Sequence, residues 1–128
     1  MLRAIVLLAA LAAPALLLVA CGSADREEAR LCRLTLPVLN PEGARLAVLR
    51  SVRTGENAVR VDYTVEARGR ARQRWVVCRF SPTPMRAGTP EIVALETDTG
   101  RIGGASLYLM RRFWLDTPDA PAADPGAG

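Results

Sequence analysis

Ala58-Val59-Arg60-Val61-Asp62-Tyr63-Thr64-Val65-Glu66 is the stretch that decides the fold. After Ala58 it alternates without a break. Val59, Val61, Tyr63 and Val65 fall on one side of an extended chain, and Arg60, Asp62, Thr64 and Glu66 on the other. That is the period of a half-buried strand. Arg72 to Phe80 reads as a second strand. Gly69-Arg70 between them fits a two-residue hairpin with glycine in the first central position, the type II′ choice. The turn sets a register: Tyr63 opposite Val76, Val61 opposite Cys78, Val59 opposite Phe80. All six share one face, an agreement that a one-residue slip would destroy. The same register turns Trp75 and Val77 outward, across from Thr64 and Asp62, with Ala47 and Leu49 beside them.

Working outward, a strand from about Leu46 to Arg53 joins through Gly55-Glu56-Asn57 and places Leu46, Val48 and Val52 inside. Arg50 is discordant there and is expected to snorkel past an edge. A fourth strand, Glu91 to Thr97, follows a loop holding Pro82, Pro84 and Pro90. Its inner face is open between Val93/Leu95 and Ile92/Ala94. Gly100 to Gly104 leads into a helix over about Ala105–Leu115. Leu107, Leu109, Met110, Phe113 and Trp114 form its apolar arc, and Tyr108, Arg111 and Arg112 the other side. Pro118 stops it, and residues 117–128 read as a disordered Pro/Ala/Gly tail.

Upstream, Asp25 to Glu28 resembles a capping box opening a helix to about Leu34. Pro37 disfavours helix at Leu36 and ends it. Residues 37–43 are a connector, or alternatively Asn40-Pro41 caps a second helix through Leu49. The expected domain, residues 25–116, is α+β: an N-terminal helix, a three- or four-stranded antiparallel meander and a C-terminal amphipathic helix, both helices on one face of the sheet.

Met1-Leu2-Arg3 precedes an uncharged run from Ala4 to Ala20. This is the layout of a signal peptide, residues 1–20. Its end, Leu18-Val19-Ala20-Cys21, resembles the bacterial lipoprotein signal. The resemblance implies a thioether lipid on Cys21, cleavage before it and acylation of the new amine, with residues 21–24 as the lipidated start and linker. It implies a membrane-anchored, periplasm-facing chain. Gly22, in place of an aspartate, favours the outer membrane over the inner. An uncleaved anchor and ordinary cleavage after Ala24 are the competing readings. With Cys21 lipidated, Cys32 and Cys78 remain as an even pair. They are too far apart for a C-x-x-C redox motif, and a structural disulfide is expected in an oxidising compartment.

The 128-residue chain has 17 basic residues, all arginine, against 13 acids, and no histidine. Without the leader about 108 residues remain, enough for one small domain. A high-GC genome accounts for the arginine usage, and export argues against nucleic acid. Missing histidine removes Ser-His-Asp and Cys-His catalysis and most zinc and haem sites. Missing lysine removes Walker-type phosphate binding and Schiff bases. The Gly100–Gly104 run matches no named anion loop, and Glu96 with Asp98 lacks the calcium-loop series. Asp62 and Glu66 share a strand face, which reads as solvated rather than catalytic. Two surfaces stay as candidates. Arg68, Arg70, Arg72 and Arg74 make a basic hairpin tip suited to lipid phosphates, lipopolysaccharide or another polyanion, if not simply a solvated turn. Leu49, Trp75 and Val77 form an outward apolar strip suited to a protein partner, unless a loop or the tail covers it. The expected function is a non-enzymatic binding or scaffolding lipoprotein with no cofactor or metal, anchored to a membrane and facing the periplasm, with an envelope protein as a candidate partner. A soluble-ligand or inhibitor-type module is the alternative, and an enzyme comes third.

Overall fold

The computed structural model describes residues 23–126. The leader and Cys21 lie outside them. In chain order the elements are α1 (Ser23–Arg33), α2 (Leu36–Leu39), β1 (Arg45–Arg53), β2 (Ala58–Ala67), β3 (Arg70–Phe80), β4 (Ile92–Thr97), β5 (Gly100–Arg101), α3 (Gly104–Met110), a π-helical turn (Arg111–Leu115) and α4 (Asp119–Ala122). The strands form one antiparallel sheet in sequential order β1-β2-β3-β4-β5. The class is α+β, with five strands rather than three or four. The fifth is two residues long and pairs Gly100 with Thr97 and Arg101 with Glu96, too short for alternation to reveal.

The β2–β3 hairpin turns one residue earlier than expected. Arg68 and Gly69 both have positive φ, 54° and 73°, and Ala67 pairs with Arg70. This is a type I′ arrangement, glycine second, whose twist matches that of the flanking strands. The pairing is displaced by two residues: Val61 faces Val76, Val59 faces Cys78 and Tyr63 faces Arg74. A two-residue displacement preserves side-chain parity, so the faces stand while the partners change. Val59, Val61, Tyr63, Val65, Val76, Cys78 and Phe80 are all buried.

Two bulges explain the ambiguous strands. In β1 the pairing jumps at Leu49: Val48 faces Tyr63 but Arg50 faces Asp62. The extra residue reverses parity beyond it. Arg50 and Val52 therefore go to the outer face, Ser51 comes opposite Val61, and Val52 is 39% exposed instead of core. Arg50 does not snorkel; it pairs with Asp62 at 2.8 Å. In β4 the jump falls at Val93, so Ile92 and Leu95 are both buried while Val93 is exposed.

The helical residues Cys32, Leu36 and Leu107 join the inner sheet residues in a single core. The Cys32–Cys78 disulfide links α1 to β3, with a Cα–Cα distance of 5.7 Å. The helical path breaks after Arg33, where the Thr35 hydroxyl donates to the Cys32 carbonyl at 2.7 Å. Pro37 sits in the first turn of α2, where a missing N–H costs nothing. No second helix runs through Leu49; β1 occupies that stretch.

The last helix buries a narrower stripe than expected. Leu107 is buried and Met110 and Leu115 pack on the core, but Leu109 and Phe113 are 52% and 70% exposed. The π turn adds a residue to the helical repeat and swings Trp114 inward, where its indole Nε1 donates to the Leu34 carbonyl at 2.6 Å. Arg111 pairs with Glu91 at 2.8 Å. The stretch expected to be an open tail is ordered through Gly126. Ala120 is fully buried, and Asp124 accepts two hydrogen bonds from Arg33, at 3.0 and 2.9 Å. The composition suggested disorder; one buried methyl and one ion pair across 91 residues oppose it.

Candidate functional site

Along the inner positions of β3 the sequence reads Phe80, Cys78, Val76, then Arg74, Arg72, Arg70. The opposing positions of β2 stay apolar to the end: Val65 faces Arg72 and Ala67 faces Arg70. The core thus gives way along β3 to a shelf with one apolar side and one guanidinium side. Asn40 and Pro41 wall it, just past the end of α2. The result is an open cleft of about 670 Å³ lined by Asn40, Pro41, Val65, Ala67, Arg68, Arg70, Arg72 and Arg74.

Its inner wall is fixed by a polar relay. Tyr63 is fully buried, and a buried phenol needs a partner. Asn40 supplies it, donating Nδ2 to the Tyr63 hydroxyl at 3.0 Å and to the Leu36 carbonyl at 2.8 Å. Asn40 Oδ1 then accepts from Arg74 Nη1 at 2.8 Å. Arg74 also donates Nε and Nη2 to Asp98 Oδ1 at 3.0 and 2.9 Å. Its side chain is 11% exposed. The bonds to Asp98 strengthen its hold on the proton, against a smaller opposing effect of burial. Arg74 is a committed wall of the cleft. Arg68, Arg70 and Arg72 are exposed and have no acid partner among the described residues. Sequence reading named these four arginines; it missed Asn40 and Asp98, which orient one of them. The signal for Asn40 was Tyr63, an inward-facing phenol whose hydroxyl had to be met.

The outer strip is different from expectation. Trp75 faces Asp62 and Val77 faces Arg60. Val77 is 9% exposed and Trp75 half-buried. The Arg60 guanidinium lies 4.7 Å from the centre of the Trp75 ring, a cation–π contact. Beneath it Asp62 accepts from Arg50 at 2.8 Å and Arg60 at 3.0 Å. Burial pushes the Asp62 carboxyl up, and the hydrogen bonds and charges of Arg50 and Arg60 more than reverse this, holding it below its ordinary value. Of the three strip residues only Leu49, the bulge residue, is widely exposed, at 53%. The strip is a seam sealed by an ion-paired layer, not a continuous apolar surface. Asp62 is correspondingly a buried structural anion, where sequence reading expected a wet one.

Among the described residues no three His, Cys, Asp or Glu side chains cluster as metal ligands. No family model, curated protein or solved structure matches this chain, so the functional reading rests on these residues.

Proposed function

We propose that the chain is an acylated envelope lipoprotein, held to a membrane through Cys21, whose stapled domain is a non-enzymatic binding module facing the periplasm. The observation that carries the binding role is the hairpin cleft. Three arginines with no acid partner among the described residues stand together on a shelf continuous with the core, whereas Arg50 and Arg60 on the outer face share the Asp62 carboxylate. Unneutralised like charges side by side repel, so a domain that keeps them gains from an anionic partner. The anchoring role is supported by Leu18-Val19-Ala20-Cys21 and by cysteine parity: Cys32 and Cys78 are bonded to each other, which leaves Cys21 as the third.

The test uses the full chain expressed in a bacterium with two membranes. Mass spectrometry of the mature N-terminus should find lipid on Cys21; an unmodified chain beginning at Asp25 refutes the anchor. Purification from detergent-solubilised envelope should recover an anionic envelope component, lost in the Arg70→Glu/Arg72→Glu variant. Recovery of the same component by both chains refutes the cleft as the binding surface.

A further inference from the structure

We infer that the hairpin cleft is a site for a phosphate monoester, gripped by Arg70 and Arg72 against the fixed wall of Arg74, with the ligand's carbon skeleton on Val65, Ala67 and Pro41. The inference rests on the cleft being the binding surface and adds the chemistry of what it binds.

Three features select phosphate. The first is charge. Four guanidiniums line the cleft, and Asp98 neutralises only Arg74. A lone carboxylate would satisfy one of the three that remain. A phosphate monoester carries about −1.5 to −2 charges at neutral pH and three acceptor oxygens, enough to engage more than one guanidinium. The second is geometry. Arg70 and Arg72 are two positions apart on one strand and share a face, so their Cα atoms stand roughly 6.5–7 Å apart. Their long side chains can converge on one tetrahedral group from two sides, each offering a planar fork of N–H donors. Arg74, held by Asn40 and Asp98, is a wall that needs no ordering when ligand arrives, its charge already balanced by Asp98. The third is the floor. Pro41, Val65 and Ala67 line the cleft beside the arginines, and Val65 and Ala67 lie opposite Arg72 and Arg70. A volume of about 670 Å³ is that of an organic-ligand site, more than a bare ion needs. A charged rim over an apolar floor fits a group with a phosphate at one end and carbon at the other: a soluble sugar or glycerol phosphate, or the phosphate headgroup of a lipid.

The placement also argues against a merely solvating role. Surface charge is ordinarily carried on the outward positions of a strand. Here Arg70, Arg72 and Arg74 occupy consecutive inward positions, continuing the row that holds Val76, Cys78 and Phe80 in the core.

The experiment is calorimetric titration of the detergent-solubilised full chain with glycerol 3-phosphate, with dihexanoyl phosphatidic acid and with dihexanoyl phosphatidylcholine. Binding of either phosphate monoester, weakened by added salt and at least tenfold weaker in Arg70→Gln/Arg72→Gln, supports the site; which of the two binds tells soluble from lipid source. Arg79→Gln, on the outer face of the same strand, should bind like the parent. The melting temperature of the double variant should be equal or higher, because it removes like charges, and that separates lost binding from lost fold. No binding of either monoester at millimolar concentration, equal binding of the phosphatidylcholine, or binding unchanged in the double variant overturns the inference. An envelope component retained through Arg70 and Arg72 while neither monoester binds refutes the phosphate chemistry and leaves the binding role standing. Monoester binding through Arg70 and Arg72 without a recovered envelope component upholds the cleft and its phosphate chemistry and refutes an envelope-bound partner.

Discussion

Replacing Cys32 and Cys78 tests what holds this domain together. The bond closes a loop across a sequence separation of 46 residues. Chain entropy for such a loop gives about 13 cal/mol/K, or about 4 kcal/mol at 25 °C. Both cysteines are fully buried in the core that joins α1 to the sheet, so the same substitutions also loosen packing there. A domain of this size is stable by about 5–15 kcal/mol, and one kcal/mol moves its melting point by roughly 4 °C. Cys32→Ala and Cys78→Ala should therefore each lower the melting temperature by roughly 15–20 °C. The double variant should fall only a little further than the worse single one, since either change alone opens the loop and only the packing loss adds. Thermal unfolding followed by far-ultraviolet circular dichroism, on oxidised parent and the three variants, reads this directly. Losses that add in full, or a single-variant drop below about 5 °C, would show that the bond is not the staple the loop-closure estimate makes it.

Asp62 lies buried between Arg50 and Arg60 with its carboxyl held below the ordinary range. Its contribution is present above the unfolded carboxyl value near 3.9 and is lost as pH falls through the lower folded value. Asp62→Asn should cost about 1–2 kcal/mol at pH 7, discounted for the exposure of Arg50, and should flatten the fall in melting temperature between pH 4 and pH 2 seen in the parent. A parallel acid limb in the variant would contradict this. Arg68 sits at positive φ before Gly69, where asparagine is at ease; Arg68→Asn should raise stability by about 0.5–1 kcal/mol in urea unfolding, and a loss would contradict the type I′ turn. Truncation after Pro118 removes the buried Ala120 and the Asp124 partner of Arg33; a cost of about 1–3 kcal/mol is expected, and an unchanged melting curve would mean that residues 119–126 contribute nothing.

What the chain shows in one dimension depends on how local each signal is. The alternation from Val59 to Val65 set the faces of β2 and, through parity, those of β3, even though the turn was placed one residue late. The bulges at Leu49 and Val93 could not be read that way, because alternation carries no mark of a residue inserted against a partner strand. Arg50 held the clue: a charge on the expected inner face is cheaper to explain by reversed parity than by snorkelling. Phe113 went wrong because a wheel drawn at α-helical pitch cannot anticipate a π turn. The order at Asp124 depends on Arg33, far away in sequence, and composition alone is blind to it. The four arginines were visible as residue types. That three of them stand beyond the end of α2, over the apolar end of β2, needed the folded arrangement.

The direction in which the chain crosses its sheet fixes a distance. α1 enters beside the last residue of β1, where Glu28 pairs with Arg53 at 2.9 Å, and the arginine turn at Arg68–Gly69 lies at the other end of the strands. β3 has 11 residues, so the two ends stand about 35 Å apart at roughly 3.3 Å per residue. A lipid on Cys21, two residues before α1, would tether the first end at the bilayer, and with the strands upright on it the arginines would stand several Debye lengths of about 8 Å beyond it. The sheet would then act as a stand-off post. The field of the home membrane would scarcely reach the cleft, and any anionic group captured there would have to be offered from the far side of the gap.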